Sequence, residues 1–158
     1  MRIAVGCDSN GLALKDNLVE ILRKDRRTTS IIDLGVKNPD DTTFYPEVGF
    51  ALALNIKEKK ADRGLLICGT GIGMAISANK VEGIRAATTH DPYSLERAIL
   101  SNDCQVICMG AKVITPENAK KLIEQWLDYE FDINSASQPK VERINILEAQ
   151  NRGRADVI

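Results

Sequence analysis

Five times along this chain a short apolar run is followed by a stretch of helical period, and no other feature constrains the fold as much. The runs Ile3–Cys7, Ile31–Leu34, Gly64–Cys68, Ile84–Thr88 and Gln105–Met109 read as strands. The stretches Leu12–Arg23, Val48–Lys59, Ile72–Lys80, Pro92–Leu100 and Pro116–Leu127 read as helices; in the first, apolar residues fall at 12, 14, 18, 19, 21 and 22. Pro46 suits a first helical turn, where its missing N–H costs nothing. Strand-then-helix repetition predicts an α/β fold: a doubly wound, Rossmann-like, five-stranded parallel sheet with helices on both faces. Ligands of such sheets bind at the carboxyl ends of the strands, so function is expected from residues just after strands one, three and five.

After Leu127 the pattern changes. Asp128–Gln138 is polar and includes Ser135-Ala136-Ser137, and Lys140–Gln150 forms a helix with Val141, Ile144, Ile146 and Leu147 as its apolar stripe. With few core partners, such a C-terminal helix is expected at a subunit interface. Residues 151–158 read as a frayed tail. The expected organisation is one domain over 1–150, with 128–150 as its C-terminal extension.

With 44% hydrophobic and 27% charged residues the chain can bury a core. A net charge of −1 leaves no electrostatic footprint for nucleic acid, and 4% aromatics argue against base-stacking platforms. The run from Met1 meets Asp8 too soon for a signal peptide, and no apolar stretch approaches the ~20 residues a membrane helix needs. A soluble cytoplasmic protein is expected, with no nucleic-acid or membrane partner. Cys7, Cys68, Cys104 and Cys108 form no C-x-x-C pair, and with a single histidine no metal site is expected. Cys7, Cys104 and Cys108 read as reduced, buried thiols.

The segment Cys68-Gly69-Thr70-Gly71-Ile72-Gly73-Met74 lies between a strand and a helix. Its glycines allow a tight turn, and the helix start beyond it offers free N–H groups and a positive dipole end. A phosphate loop would need G-K-[ST], which is missing. A dinucleotide fingerprint would need G-x-G-x-x-G, which fails at Met74 or at Ser77, depending on the starting glycine. The third reading is a small-molecule site that stabilises a transient oxyanion, with Cys68 and Thr70 as reacting groups; a helix N-terminus favours the thiolate. A buried strand-end thiol is the bland alternative for Cys68. In the turn after strand one, Asp8-Ser9-Asn10-Gly11, Asp8 either points into the same crevice or caps the next helix. His90 follows strand four, and a lone histidine is more often structural than catalytic. Ser101-Asn102-Asp103 reads first as a helix stop.

Together these residues resemble the sugar-phosphate isomerase family that contains ribose-5-phosphate isomerase B and galactose-6-phosphate isomerase. The resemblance runs from Arg2 to about Glu148. It is carried by Gly6-Cys7-Asp8, Tyr45-Pro46, Leu66–Met74, Ala78-Asn79-Lys80-Val81, Gly83-Ile84-Arg85-Ala86, His90-Asp91, Asn102-Asp103 and Gly110–Ile114. It implies aldose–ketose isomerisation of a sugar phosphate through a cis-enediolate, with neither metal nor cofactor. Cys68 then resembles the base. Thr70 and the N–H groups of Gly71 and Gly73 resemble the enediolate hole, with Gly69 beside them as a substrate-binding residue. Asp8 and Asn102 resemble polar contacts to sugar hydroxyls, and Tyr45 a wall of the site. The family is dimeric or tetrameric, with each site shared between subunits.

The departures are informative. Ser9 and Ser101 stand where ribose-5-phosphate isomerase B usually has histidines, for phosphate binding and for ring opening. Lys112 stands where arginine is common. One phosphate-binding arginine position appears as Lys140, and another falls within Ser135-Ala136-Ser137. Lysine lacks the bidentate fork of arginine, so a rebuilt phosphate site is implied. A tetrose 4-phosphate cannot close to a furanose, because its O4 carries the phosphate, and needs no ring-opening acid. Ser101 therefore suggests D-erythrulose 4-phosphate and D-erythrose 4-phosphate, and Ser9 and Ser101 together resemble the tetrose-phosphate branch of the family; the rival is a pentose phosphate opened by His90. A non-catalytic sugar-phosphate or nucleotide-binding module on the same fold is the alternative function, and a thiol redox role a distant third.

Overall fold

The computed structural model describes residues 1–155. The strands are β1 (Arg2–Cys7), β2 (Ser30–Asp33), β3 (Arg63–Cys68), β4 (Ala86–Thr88) and β5 (Val106–Gly110). The helices are α1 (Leu12–Lys24), α2 (Tyr45–Lys57), α3 (Ile72–Ala78), α4 (Pro92–Leu100), α5 (Pro116–Trp126) and α6 (Gln138–Ala155). All strand pairs are parallel and the sheet order is β2-β1-β3-β5-β4. The expected α/β architecture, with helices on both faces and a C-terminal helix, is the one observed.

Alternation along the strands sorts side chains to the two faces. Ile3, Val5, Cys7, Leu65, Ile67, Ile107 and Met109 pack with α1, α4 and α5, around the fully buried Trp126. Ala4, Leu66, Cys68, Val106 and Cys108 pack with α2 and α3. Both faces are covered, so the strands read as continuous apolar runs. The helix starts follow local chemistry. Asp91 accepts the Ser94 N–H at 2.8 Å ahead of Pro92, and Thr115 accepts the Asn118 N–H at 3.3 Å ahead of Pro116.

Cys7 is paired with Ile67 and Cys68 with Gly110, so β1, β3 and β5 end side by side. Burial pushes the Cys7 and Cys104 thiols up to about 11 and raises the Cys108 thiol well above its ordinary value, as expected of inert core thiols. One expectation needs correcting. Helix α6 runs to Ala155, five residues into the segment read as frayed, and 156–158 lie outside the described residues. It is fastened to its own chain: Arg152 pairs with Glu82 at 3.3 Å, Glu148 accepts the Gly83 N–H at 2.9 Å, and Arg85 donates to Asn145 at 3.2 Å. Ile144, Ile146 and Leu147 nevertheless stay exposed. Among the described residues no helix is long and apolar enough to cross a membrane.

Candidate active site

The site grows from the turn that closes β3. Gly71 has φ +80°, a left-handed conformation that side chains other than glycine's strain to adopt. That conformation folds the chain back so that the Gly71 N–H donates to Cys68 Sγ at 3.1 Å. Cys68 itself is only 5% exposed, at the floor of a cavity of about 440 Å³.

Asp8, Tyr45, Cys68, Gly69, Thr70, Ile72, Gly73, Ile76 and Lys112 line this cavity. Asp8 follows β1, and its Oδ1 accepts the Gly11 N–H at 3.0 Å, so one carboxylate both holds its own turn and faces the cavity. The Tyr45 ring lies on Gly73, where a Cβ would fall 2.5 Å from it. Thr70 is exposed, and its Oγ1 accepts the Ile72 N–H at 3.4 Å. Lys112 runs past Gly69 and is the cation among the described lining residues.

The loop is clamped from the next strand. Ala111 donates to the Cys68 carbonyl at 2.8 Å and Lys112 to the Gly69 carbonyl at 3.0 Å. The Thr88 hydroxyl donates to the Gly71 carbonyl at 3.2 Å. A hollow of similar size at the opposite end of the sheet, beside Arg2, Lys57 and Asp62, holds no nucleophile.

Six residues singled out from the sequence do not line the cavity: Gly71, whose N–H is turned to Cys68 Sγ, and Ser9, His90, Ser101, Asn102 and Lys140. Ser9 sits on the Asp8 turn. His90 Nε2 accepts the Gly110 N–H at 2.8 Å, and burial pushes its pKa down. Ser101 and Asn102 precede β5, whereas Cys68 is level with the end of β5, so they lie at the far end of the sheet, about 15 Å away at ~3.3 Å per residue. There the Ser101 hydroxyl accepts from Arg97 at 3.1 Å, and Asn102 Nδ2 donates to the Arg97 carbonyl at 2.9 Å. Lys140 lies exposed in the first turn of α6. Conversely, the reading from sequence missed Ile72 and Ile76 as cavity walls. Their i,i+4 spacing on α3 was the available signal, since both are more than half exposed.

The family described as Ribose/Galactose Isomerase matches residues 3–144. The chain belongs to the ribose/galactose isomerase family. As a member it is an enzyme of the isomerase class. It is 50% identical over 144 residues to D-erythrulose-4-phosphate isomerase 2 of Mycolicibacterium smegmatis, covering 91% of this chain and 95% of that one. Ribose-5-P isomerase B of Listeria innocua is 45% identical over 152 residues, with 96% and 100% covered. Among solved structures, ribose-5-phosphate isomerase B of Clostridium thermocellum superposes with a TM-score of 0.89 at 33% identity, covering 96% of this chain and 99% of that one. The family resemblance read from Cys68–Met74 and the flanking segments is thus borne out.

Proposed function

We propose that the chain interconverts an aldose phosphate and a ketose phosphate through a cis-enediolate, with Cys68 as the base, and that its substrate pair is D-erythrulose 4-phosphate and D-erythrose 4-phosphate. The observation that carries the chemistry is the Gly71 N–H donating to Cys68 Sγ at the cavity floor. The thiolate takes the proton from the carbon beside the carbonyl and returns it to the neighbouring carbon. Negative charge gathers on the two oxygens of the enediolate. The Gly71 N–H is turned to sulfur and serves the base, which leaves Thr70 Oγ1 and the Gly73 N–H for the enediolate. Asp8 faces the sugar hydroxyls, and Lys112 meets the phosphate as a point charge.

Three features favour the tetrose. Ser101 carries no acid for ring opening. His90, the other candidate opener, has its Nε2 committed to Gly110. The Mycolicibacterium relative at 50% identity bears the tetrose name. Asn102 can reach a Cys68 cavity only from a second copy, which supports a homodimer or homotetramer with shared sites, Lys140 entering the same way. Phe44, Ile72 and Ile76, each more than half exposed around the cavity, are the apolar surface such a copy would cover.

The test is the initial rate of the wild type and Cys68→Ala on D-erythrulose 4-phosphate and D-ribose 5-phosphate. Preference for the tetrose, with Cys68→Ala inactive, is expected. Equal or better turnover of ribose 5-phosphate would overturn the substrate reading. No turnover of either would mean that the substrate is another sugar phosphate or that the site is a binding module.

A further inference from the structure

The geometry points to His90 as a positioning residue: its unprotonated Nε2 holds the end of β5 and, through it, the Cys68 loop. The inference rests on Cys68 being the base. The chain leaves β4 at Thr88 and turns toward α4, and in that turn His90 Nε2 accepts the Gly110 N–H at 2.8 Å. Gly110 is the register partner of Cys68. It also touches the loop directly, because a Cβ at 110 would stand 2.6 Å from Thr70 Cα. The two residues after Gly110 donate to the carbonyls of Cys68 and Gly69 at 2.8 and 3.0 Å. A shift of Gly110 therefore moves the base, Thr70 and the backbone of Lys112 together.

The bond requires a particular form of the ring. With Nε2 accepting, the neutral imidazole carries its proton on Nδ1. A proton on Nε2 would set donor against donor. Burial works in the required direction and lowers the His90 pKa, while Asp91 alongside opposes it. The Asp91 carboxylate is itself engaged with the Ser94 N–H at 2.8 Å. A histidine serving as ring-opening acid needs a transferable proton facing the sugar, and Nε2 is occupied by protein backbone instead.

Acceptor and acid make opposite demands on substitution. Glutamine presents an oxygen near the place of Nε2 and can accept from Gly110, but it has no titrating proton. Phenylalanine fills the volume and accepts nothing. The experiment measures kcat and KM of wild type, His90→Gln and His90→Phe on D-erythrulose 4-phosphate and D-ribose 5-phosphate, with thermal melts alongside. The expected result is a kcat loss of about 10- to 100-fold in His90→Phe, equal on both substrates and with KM little changed, because the reacting groups are displaced. His90→Gln is expected to restore most of it. Full activity in His90→Phe overturns the inference. So does a loss confined to ribose 5-phosphate and shared by both variants, since that is the signature of an acid. If His90→Phe does not fold, His90→Gln decides alone: near wild-type kcat on both substrates supports an acceptor, and a pentose-specific loss refutes it. If the wild type turns over neither sugar, the substrate is another sugar phosphate and the alkylation rate of Cys68 by iodoacetamide, read against Cys68→Ala, becomes the measure. A changed rate in His90→Phe restored in His90→Gln then supports positioning; identical rates in all three refute it.

Discussion

Replacing Gly71 by alanine separates the backbone strain of the Cys68 turn from its packing, because the fold contains its own control. Gly71 and Gly83 share nearly the same φ, +80° and +77°. A side chain in the left-handed region costs about 1–2 kcal/mol at either position. Their surroundings differ. At Gly83 nothing lies within 4 Å of an added Cβ, whereas at Gly71 it would meet the Met109 backbone at 3.0 Å and Thr88 Cγ2 at 3.1 Å. Backbone yields less readily than a flexible side chain, so the crowding at Gly71 adds about 1–3 kcal/mol. Gly83→Ala should therefore lose about 1–2 kcal/mol and Gly71→Ala about 2–5 kcal/mol. For a chain of this size each kcal/mol is worth roughly 2–4 °C in Tm, so melts at fixed protein concentration resolve the two variants. Activity should separate them further. Relaxing the clash moves the Gly71 N–H off Cys68 Sγ and displaces the base, and a misplaced reacting group costs about 10²-fold in kcat. Gly83→Ala, remote from the cavity, should keep its kcat. Equal destabilisation of the two variants would refute the packing at Met109. Wild-type kcat in Gly71→Ala would refute the role of that N–H.

Two further outcomes follow from the same geometry. Cys68→Ala and Asn102→Ala should each be inactive alone, yet recover activity when denatured together and refolded; random pairing makes about half the dimers mixed, each with one intact site, so recovery to about one quarter of wild type is expected of a shared site, and no recovery would mean that Asn102 does not reach a neighbour's cavity. Asp25, hydrogen-bonded by the Arg27 side chain, titrates at about 2 rather than 3.8; with the folded value depressed, its contribution is full above 3.8 and lost as pH falls toward 2. The Tm gap between wild type and Asp25→Asn should thus be largest near neutrality and close over that acid window, and a gap that widened on acidification would contradict the pairing.

Most of the element sequence could be read in advance because burial on both faces leaves a local imprint: β-strand runs are apolar throughout, and each helix carries its stripe. The loop from Cys68 to Gly73 was equally legible, since a left-handed turn needs glycine and a helix start follows it. Boundaries set by tertiary contacts were not. The last five described residues of α6 read as frayed because their own periodicity is weak, yet Arg152 and Glu148 tie that helix to Glu82 and Gly83, about 65–70 positions away in sequence.

By itself the sequence determined five strand–helix units, the turn that presents Cys68, and membership of a ribose/galactose isomerase family by many short segments in order. Only the tertiary structure decided which strand lies beside β3. Placing β5 there, with β4 outside it, sets Gly110 and Lys112 against the Cys68 loop and turns His90 into a support for Gly110. The physical reason is that hydrophobic period reports which residues are buried, while strand neighbours are chosen by long-range pairing, on which the local pattern is silent.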